Sequence, residues 1–511
     1  MKVQAFWLTA SKLFAALLNI GLPMLLVRIL SQSEYGAYKQ AFLFTITASN
    51  VATLGVGMSA YYYVPRFPKR GGQIALNILI YNFAAGLVAL LALMFYPQVL
   101  GLLFPGSGLQ PLAILLGILT LLTLTAGLVQ LMPTALQDVR HSTMFIVGTQ
   151  LLKTIIFAAV VIAFRSVRSL ILGAIVSQIF SMMLLFWYLQ NRFPRFWTQF
   201  DWEFFKEQLS YALPIGAAGM LWVIQKDVDN YFVGAALGPK EYAIYAIGWL
   251  DVPLISLFLE SVASVMIIRL AALQHEGRKE EIRRLTASAI NRLAAFQFPL
   301  CALLLVAGHD LIVLFYTRAY EPSARIFSVT ILLLAMSAFL TDPVNRAFKE
   351  LRKFLLGVNI AIMIVLMSCL MPVIHHFGMM GAAILAVGVQ ALQKIVLGWK
   401  VSRKLDATAK DFLLFKDLFK VTCATVSAGL IAYAVRNLIP ANLLVARVGA
   451  VGACVVAVYL PAVFLLHLPG REMLSKEKVL ALVRSTVARV KGRAQPSDSG
   501  SKSEVENSPR H

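Results

Sequence analysis

Positively charged side chains inside long apolar segments are the residues of this sequence that could do chemistry. The chain has 511 residues, of which 59% are hydrophobic and only 14% are charged. A charge at the centre of a bilayer costs about 2.5–3.5 kcal/mol on insertion scales, so it usually faces protein or water and marks a functional site. Five basic residues lie in such segments, and these are Lys12, Lys153, Lys226, Arg292 and Lys394.

Lys153 lies near the centre of its apolar segment. At a rise of 1.5 Å per residue it is about 15 Å from either end of the helix, so its ammonium group cannot easily reach an interface. Lys12 shares a helical stripe with Asn19, and Pro23 can kink the same helix. We therefore expect Lys12, Asn19 and Lys153 to line a hydrated cavity.

The other two cavity candidates, Lys226 and Lys394, each have an alternative explanation. Lys226 faces Asp229 at i+3, so an internal ion pair and substrate binding stay equally open. Lys394 is only about 9 Å from the predicted inner interface, so its side chain could instead extend to the headgroups, as could that of Arg292.

Acidic residues inside the apolar segments are fewer, and they are Asp227, Asp229, Asp251 and Glu260. These carboxylates could bind Na⁺ or H⁺ for coupling, or they could simply neutralise Lys226. Asp251 and Glu260 are on opposite faces of a helix, so they do not form one site. The coupling source therefore stays open between H⁺, Na⁺ and the membrane potential.

Patterns typical of catalytic, metal or nucleotide sites are missing from the sequence. There is no G-x-x-x-x-G-K-[ST] motif for ATP, no nucleophile elbow or paired-carboxylate pattern, and no metal-ligand spacing around the histidines. The four cysteines all lie in apolar segments without C-x-x-C spacing, as packing residues do. We expect no catalytic residue, metal or cofactor.

The elements that must position these charges are membrane-spanning helices. A hydrocarbon core about 30 Å thick needs roughly 20 apolar residues per helix. We predict an all-α polytopic membrane protein with about fourteen spans, at 4–29, 38–63, 74–96, 112–136, 143–164, 169–190, 209–236, 243–268, 285–315, 326–345, 354–376, 379–400, 417–438 and 444–467. We interpret the first as a retained helix and not as a signal peptide.

The net charge of +21 follows the membrane topology. Lys and Arg are concentrated in the alternate loops that become cytoplasmic when the N-terminus is inside, which predicts that both termini are cytoplasmic. The same charges can attract anionic lipids of the inner leaflet. Nucleic acid is therefore not needed as a partner to explain the basic composition.

An internal repeat divides the chain into two lobes. The run from Leu30 to Tyr38 follows the first span, and a similar run from Leu237 to Tyr245 follows the seventh. Six helices separate the copies, so both repeats run in the same direction through the membrane. We predict an N-lobe (1–207, spans 1–6), a C-lobe (208–403, spans 7–12), two extra spans (404–468), an amphipathic interfacial helix (469–493) and a disordered cytoplasmic tail (494–511).

The repeated runs are similar to those of a known family. Asp229 to Tyr245, Arg28 to Leu30, Leu370 to Pro372 and Phe377 to Ala383 resemble the polysaccharide (O-antigen, Wzx-type) flippases of the multidrug/oligosaccharidyl-lipid/polysaccharide (MOP) exporter superfamily. Ala243 stands where the first repeat has a glycine, and nothing is typical of the lipid II flippase. The resemblance implies a V-shaped, two-lobed transporter in the bacterial cytoplasmic membrane.

The same resemblance implies the passenger, an undecaprenyl-pyrophosphate-linked oligosaccharide for O-antigen, capsule or exopolysaccharide biosynthesis. It would cross by alternating access and be received by glycan polymerase or ligase machinery. Buried lysines suit this passenger, because cations can replace the hydration that its pyrophosphate loses. Two alternatives stay open: a cation-coupled multidrug exporter of the same superfamily and, less favoured, a membrane glycan polymerase or ligase.

Overall fold

The computed structural model of the chain describes residues 2–250 and 253–469, in which all regular secondary structure is helical. The predicted disordered tail and, apart from residue 469, the predicted interfacial helix lie outside these residues. The α-helices are α1 (Lys2–Ile29), α2 (Gln32–Ala52), α3 (Ala60–Arg66), α4 (Gly71–Phe95), α5 (Gln98–Leu103), α6 (Ala113–Ala126), α7 (Leu128–Ala135), α8 (Val139–Phe164), α9 (Val167–Arg192), α10 (Trp202–Gly248), α11 (Pro253–His275), α12 (Lys279–Tyr316), α13 (Ser323–Thr330), α14 (Leu332–Ser337), α15 (Asp342–Ala347), α16 (Lys349–Lys404), α17 (Lys416–Leu438) and α18 (Leu444–Leu465).

The prediction of an all-α polytopic membrane protein is confirmed, but the count of fourteen spans is not. Ten helices in the described residues are long and apolar enough to cross a membrane, or eleven if the bent pair Gln32–Ala52 and Val56–Arg66 is one span. The predicted span at 209–236 carries several charged residues, and the one at 326–345 consists of short helices.

Two long helices are broken where the sequence predicts turns between spans. Gly238 interrupts α10 with a φ of 82°, and Gly378 interrupts α16 with a φ of 61°. Glycine adopts such left-handed backbone angles without the steric penalty that a Cβ imposes. Each of these two helices is therefore two helical segments, and two predicted spans fall within α16.

The first turns of α10 pack on the N-lobe. The Gln208 side chain is fully buried, donates to Ser59 Oγ over 2.7 Å and accepts from Asn77 Nδ2 over 3.2 Å. Just upstream, the rings of Phe193 and Phe196 cover the α4 start, where glycines leave room for them. The helix that leads into the C-lobe therefore begins as part of the N-lobe.

A buried ion pair attaches α17 and α18 to α12. The Asp310 side chain on α12 is completely buried and receives two hydrogen bonds from Arg436 of α17, at 2.6 and 2.9 Å. Arg447 of α18 approaches the same carboxylate to 3.7 Å. Nearer the other end of α12, Tyr459 of α18 donates to the Ala295 carbonyl oxygen over 2.7 Å. The two extra spans are thus fixed to the C-lobe.

Replacing Asp310 with alanine should destabilise the protein strongly. Two arginines would lose their buried counter-ion, and breaking such a pair typically costs about 3–5 kcal/mol. The measurement is thermal unfolding of the purified protein in detergent. Glu280→Ala, which removes an exposed partner of Arg284, is the matched control, because exposed pairs contribute about 0–1 kcal/mol. Equal melting temperatures for the two variants would contradict this role of Asp310.

Candidate functional site

A cavity of about 590 Å³ lies between the two lobes. One wall is formed by α1, α2 and α8 of the N-lobe, and the other by α10, α14 and α16 of the C-lobe. Volumes of roughly 300–1,000 Å³ are typical of pockets that hold small ligands. The cavity is therefore the candidate site, and its two walls differ in charge.

The N-lobe wall carries two ammonium groups. Lys153 Nζ of α8 lies 5.9 Å from the ring centroid of Phe42 and 5.6 Å from that of Phe157. Lys39 Nζ of α2 lies 5.8 Å from the ring centroid of Tyr35. Rings at this distance attract a cation without neutralising it. Within the described part of the chain neither lysine forms an ion pair, so both charges stay available to an anion.

The C-lobe wall carries carboxylates that already have hydrogen-bond donors. Asp229 is buried and accepts from the Tyr245 hydroxyl over 2.6 Å. Asp227 accepts from Thr47 Oγ1 of α2 over 3.0 Å, a hydrogen bond that crosses between the lobes. Both of these carboxylates lie on the C-lobe wall, across the cavity from Lys39 and Lys153.

Lys226 also lines the cavity, on the C-lobe side. Its side chain is exposed, and Nζ lies 5.8 Å from the ring centroid of Trp222. Among the described residues it forms no ion pair with Asp227 or Asp229, so the internal ion pair left open by the sequence is not seen. Substrate binding by Lys226 stays a prediction.

Close backbone contacts between α2 and α10 lie on either side of the cavity residues of α2. Near the start of α2, a Cβ on Gly36 would overlap the Pro239 carbonyl group. Just beyond its end, Gly55 meets Gly216 of α10, where a Cβ on either residue would also overlap backbone. The cavity residues of α2, from Tyr38 to Ile46, lie between these contacts. Small residues thus let the two lobes close at both points.

The structure places the other predicted site residues at different points. Asn19 lines the cavity and accepts from Gln150 Nε2 over 2.8 Å. Lys12 is exposed on α1, two turns before Asn19, and lies outside the cavity. Glu260 is exposed on α11, also outside it, and Asp251 is not among the described residues.

Lys394 does not line this cavity. Its side chain is half-buried within the C-lobe, and Nζ donates to the Phe339 carbonyl oxygen over 3.4 Å. Phe339 lies in the non-helical stretch between α14 and α15, where backbone carbonyls lack helical partners. The expectation that Lys394 faces the cavity is thus corrected, because its ammonium group lies against this carbonyl, while its extension to the headgroups stays a prediction.

Lys39 is the cavity residue that the sequence reasoning missed. It is close to the predicted start of the second span at residue 38, and a lysine at the end of a span is ordinarily interpreted as an interfacial residue. The signal was present, because Lys39, Phe42, Leu43 and Ile46 recur at helical spacing and form one stripe of α2. The helix already begins at Gln32, with Ser31 as its cap, and this brings Lys39 two turns inside it.

Comparison with protein families identifies the relatives of this fold. A family model described as polysaccharide biosynthesis protein matches residues 25–325, which is more than half of the chain. The chain belongs to this family. A search of curated proteins finds no match.

Solved structures with similar folds are transporters. The lipid II flippase MurJ, in an inward closed conformation, has a TM-score of 0.67 at 14% identity. The match covers 91% of this chain and 99% of the MurJ chain. An inward-facing multidrug resistance MATE family transporter of the MOP superfamily has a TM-score of 0.61 at 14% identity, covering 77% of this chain and 95% of its own. A MOP superfamily transporter from Pyrococcus furiosus, described as having a binding pocket of reverse polarity, has a TM-score of 0.56 at 14% identity. The match covers 79% of this chain and 94% of that transporter.

Together with the family match, these folds show that the chain is a polytopic member of the polysaccharide biosynthesis protein family with the fold of MOP superfamily transporters. The resemblance read from the repeated runs is thereby confirmed. At 14% identity the solved structures show the fold alone.

Cysteine labelling can test whether water reaches the N-lobe wall. In a background in which Cys301, Cys369, Cys423 and Cys454 are replaced by alanine, we expect Lys39→Cys and Lys153→Cys to react with a polar, charged maleimide, because both positions line the cavity. Phe157→Cys, at a fully buried position beside Lys153, is the control that should stay unlabelled. Equal labelling at all three positions would contradict this arrangement.

Proposed function

We propose that this protein is a flippase that moves a lipid-linked oligosaccharide, carried on undecaprenyl pyrophosphate, across the bacterial cytoplasmic membrane. The observation that carries the proposal is the pair of unneutralised ammonium groups, Lys39 and Lys153, on one wall of the cavity between the lobes. A pyrophosphate loses its hydration inside the membrane, and paired cations offset that cost. The relatives with this fold, MurJ among them, support the transporter class.

The cavity also offers groups that suit a sugar. Amide side chains lie on both walls, and Gln225 has a buried Oε1 without a hydrogen-bond partner in the described residues. Amide side chains both donate and accept hydrogen bonds, so they can replace a hydrogen bond to one sugar hydroxyl by a hydrogen bond to the next as a glycan passes. The aromatic side chains of Trp222 and Trp249 add flat apolar surfaces to the C-lobe wall.

Alternating access would use the two contacts between α2 and α10. Opening towards one side of the membrane separates the backbones at Gly36 and Pro239, and opening towards the other separates those at Gly55 and Gly216. The hydrogen bond from Thr47 to Asp227 joins the lobes beside the cavity. Its loss or formation would accompany the movement and give H⁺ or Na⁺ a place to act, since a protonated carboxyl no longer accepts as a carboxylate does.

A cation-coupled multidrug exporter is the second candidate. Asp227 and Asp229 favour it, because they bring carboxylates into the same cavity. Asp229, however, is already satisfied by Tyr245, and a cationic drug would be repelled by Lys39 and Lys153. A glycan polymerase or ligase is the least favoured alternative, because the relatives identified by fold are transporters.

Removing the N-lobe cations should lower glycan export more than removing lysines elsewhere. We expect Lys39→Ala and Lys153→Ala each to reduce export by about tenfold, which corresponds to about 1.4 kcal/mol of lost interaction with the pyrophosphate. Lys39→Arg and Lys153→Arg should keep most of the activity, because the charge is retained. The measurement is export of lipid-linked glycan in cells or in proteoliposomes, at matched protein levels.

Lys12→Ala and Lys394→Ala are the matched controls, because neither residue lines the cavity. Full export by both N-lobe variants would contradict the proposal. Efflux of cationic drugs that increases when Lys39 or Lys153 is removed would favour the exporter alternative. Chemical extension of the glycan by purified protein in liposomes would establish the enzyme alternative.

Asp227→Asn tests whether this carboxylate couples transport to an ion. We expect the variant to keep binding the passenger but to lose the dependence of export on the proton or sodium gradient. An amide at this position can neither be protonated as a carboxylate is nor offer a negative charge to Na⁺. Asp227→Glu is the control that retains a carboxylate. Export that responds to both gradients in the same way in all three proteins would exclude Asp227 as the coupling residue.

A further inference from the structure

Basic residues on one face of the molecule have different partners in the two lobes. This face, which the positive-inside rule predicts to be cytoplasmic, carries basic side chains of both lobes. On the side of the C-lobe and the two extra spans, many of them are paired with acids: Arg278 with Glu276 and Glu281, Lys279 with Asp406, Arg283 with Asp411, Arg284 with Glu280, Lys404 with Glu350 and Lys420 with Asp417. Two others lie over rings: Lys400 Nζ is 5.1 Å from the ring centroid of Phe354, and the Arg403 guanidinium is 5.1 Å from that of Trp399.

The acids of the C-lobe face are held in their charged form. The hydrogen bond and charge of the Lys279 ammonium lower the pKa of the Asp406 carboxyl. The backbone N–H of Thr408 lowers the pKa of the Asp411 carboxyl. A lowered pKa keeps both groups ionised at neutral pH. In these ion pairs of the C-lobe face the charges therefore largely cancel.

On the N-lobe face, three cations lie over aromatic rings. The Arg66 guanidinium is 3.7 Å from the ring centroid of Tyr62, and the Arg70 guanidinium is 5.3 Å from that of Phe204. Lys206 Nζ is 5.3 Å from the ring centroid of Trp202. None of the three forms an ion pair within residues 2–250 and 253–469. We call Arg66, Arg70 and Lys206, with their three rings, the N-lobe platform.

The platform is held in place by packing below it. Tyr62 stacks on Tyr211 with ring centroids 4.2 Å apart, and Phe204 meets the edge of Tyr63 at 5.5 Å. These contacts join α3 to the first turns of α10, which the buried Gln208 also fixes to the N-lobe. The cations therefore project from a rigid surface, so little conformational entropy is lost when they bind a ligand.

Nearby acids are mostly engaged with the protein itself. Asp201 caps α10 by accepting from the backbone N–H groups of Glu203 and Phe204. Glu207 accepts from the Tyr63 hydroxyl over 3.4 Å. Glu203 is exposed and leaves one free negative charge in this segment. The platform still carries an excess of positive charge.

Exposed aromatic side chains at the same level indicate what covers the platform. Trp202 is 56% exposed, Trp197 53% and Phe67 44%. Tryptophan and other amphipathic rings concentrate at the depth of lipid headgroups, and unpaired Lys and Arg attract anionic lipids there. The cations thus complement the phosphate of an anionic lipid, and the rings complement the upper part of its acyl chains.

We propose that the N-lobe platform is a binding surface for anionic phospholipids of the inner leaflet, and that the acid-paired cations of the C-lobe face are not. Arg66, Arg70 and Lys206 contact the phosphate, while Trp197, Trp202 and Phe67 lie beside the acyl chains. A bound headgroup would hold the N-lobe at a fixed depth while the C-lobe moves against it. This surface is distinct from the cavity, and its ligand does not depend on the transported molecule.

The experiment measures lipid binding by the purified full-length protein, using native mass spectrometry with phosphatidylglycerol and phosphatidylcholine. Each cation near an anionic surface contributes about 1 kcal/mol, so Arg66→Gln, Arg70→Gln and Lys206→Gln should each weaken phosphatidylglycerol binding about fivefold. The triple variant should weaken it about a hundredfold and leave phosphatidylcholine binding unchanged. High salt should reduce binding by the wild type.

The matched control is the triple variant Lys279→Gln, Arg284→Gln and Lys404→Gln, which removes the same charge from the C-lobe face. It should keep wild-type binding, because those residues are paired with acids. An equal loss of phosphatidylglycerol binding in both triple variants would show that net charge alone attracts the lipid. Unchanged binding by the N-lobe triple variant would exclude the platform as the binding surface. Either result overturns the proposal. Competition by inorganic pyrophosphate at low concentration would also overturn it, in favour of a soluble anion.

Folding is controlled by size-exclusion chromatography and thermal unfolding of each variant. If the triple N-lobe variant does not fold, the three single variants decide, because each changes one exposed side chain. No transport measurement enters the test, so its outcome is independent of the proposed flippase activity.

Discussion

The close contact between α2 and α10 is the feature on which the rest of the structure depends. At Gly36 and at Gly55 the two helices approach so closely that a single Cβ would overlap the backbone of the other lobe. Between these points larger side chains, such as Tyr38 and Phe42, hold the walls apart and leave the cavity. Interiors are close-packed, so such contacts are either made or broken and have few intermediate states. In this structure both contacts are made, so the cavity lies between two points at which the lobes meet.

The sequence predicted much of this architecture, because the membrane imposes strong constraints. Apolar length and the basic loops gave the helical class, and the repeated runs led to the family that residues 25–325 match. The count of spans could not be obtained in the same way. Charged residues in the first part of α10 and the short helices α13 to α15 interrupt the apolar signal. Their places are set by packing against neighbouring helices, which hydropathy does not contain.

The candidate site was only partly predictable. Lys153 could be found from its depth alone, since a lysine at mid-helix has no interface within reach. Lys394 could not be assigned from depth, because the carbonyl that it contacts belongs to a helix break more than fifty residues earlier. Lys39 was hidden by its position near a predicted span end. Depth along one helix is visible in a sequence, whereas a partner on another helix is not.

The distribution of charge gives the two lobes different chemical characters. In the N-lobe, the cations of the cavity and of the platform lie against aromatic rings and form no ion pair with the described residues. In the C-lobe, many carboxylates and basic residues are satisfied by tyrosine, threonine or one another, as Asp229 and Asp310 illustrate, although Lys226 and Lys400 lie over aromatic rings. An anion crossing between the lobes would therefore be attracted by one wall and released by the other. On the C-lobe wall the carboxylates of Asp227 and Asp229 accompany Lys226, so this wall would attract a pyrophosphate less than the N-lobe wall does, and the asymmetry suits its release.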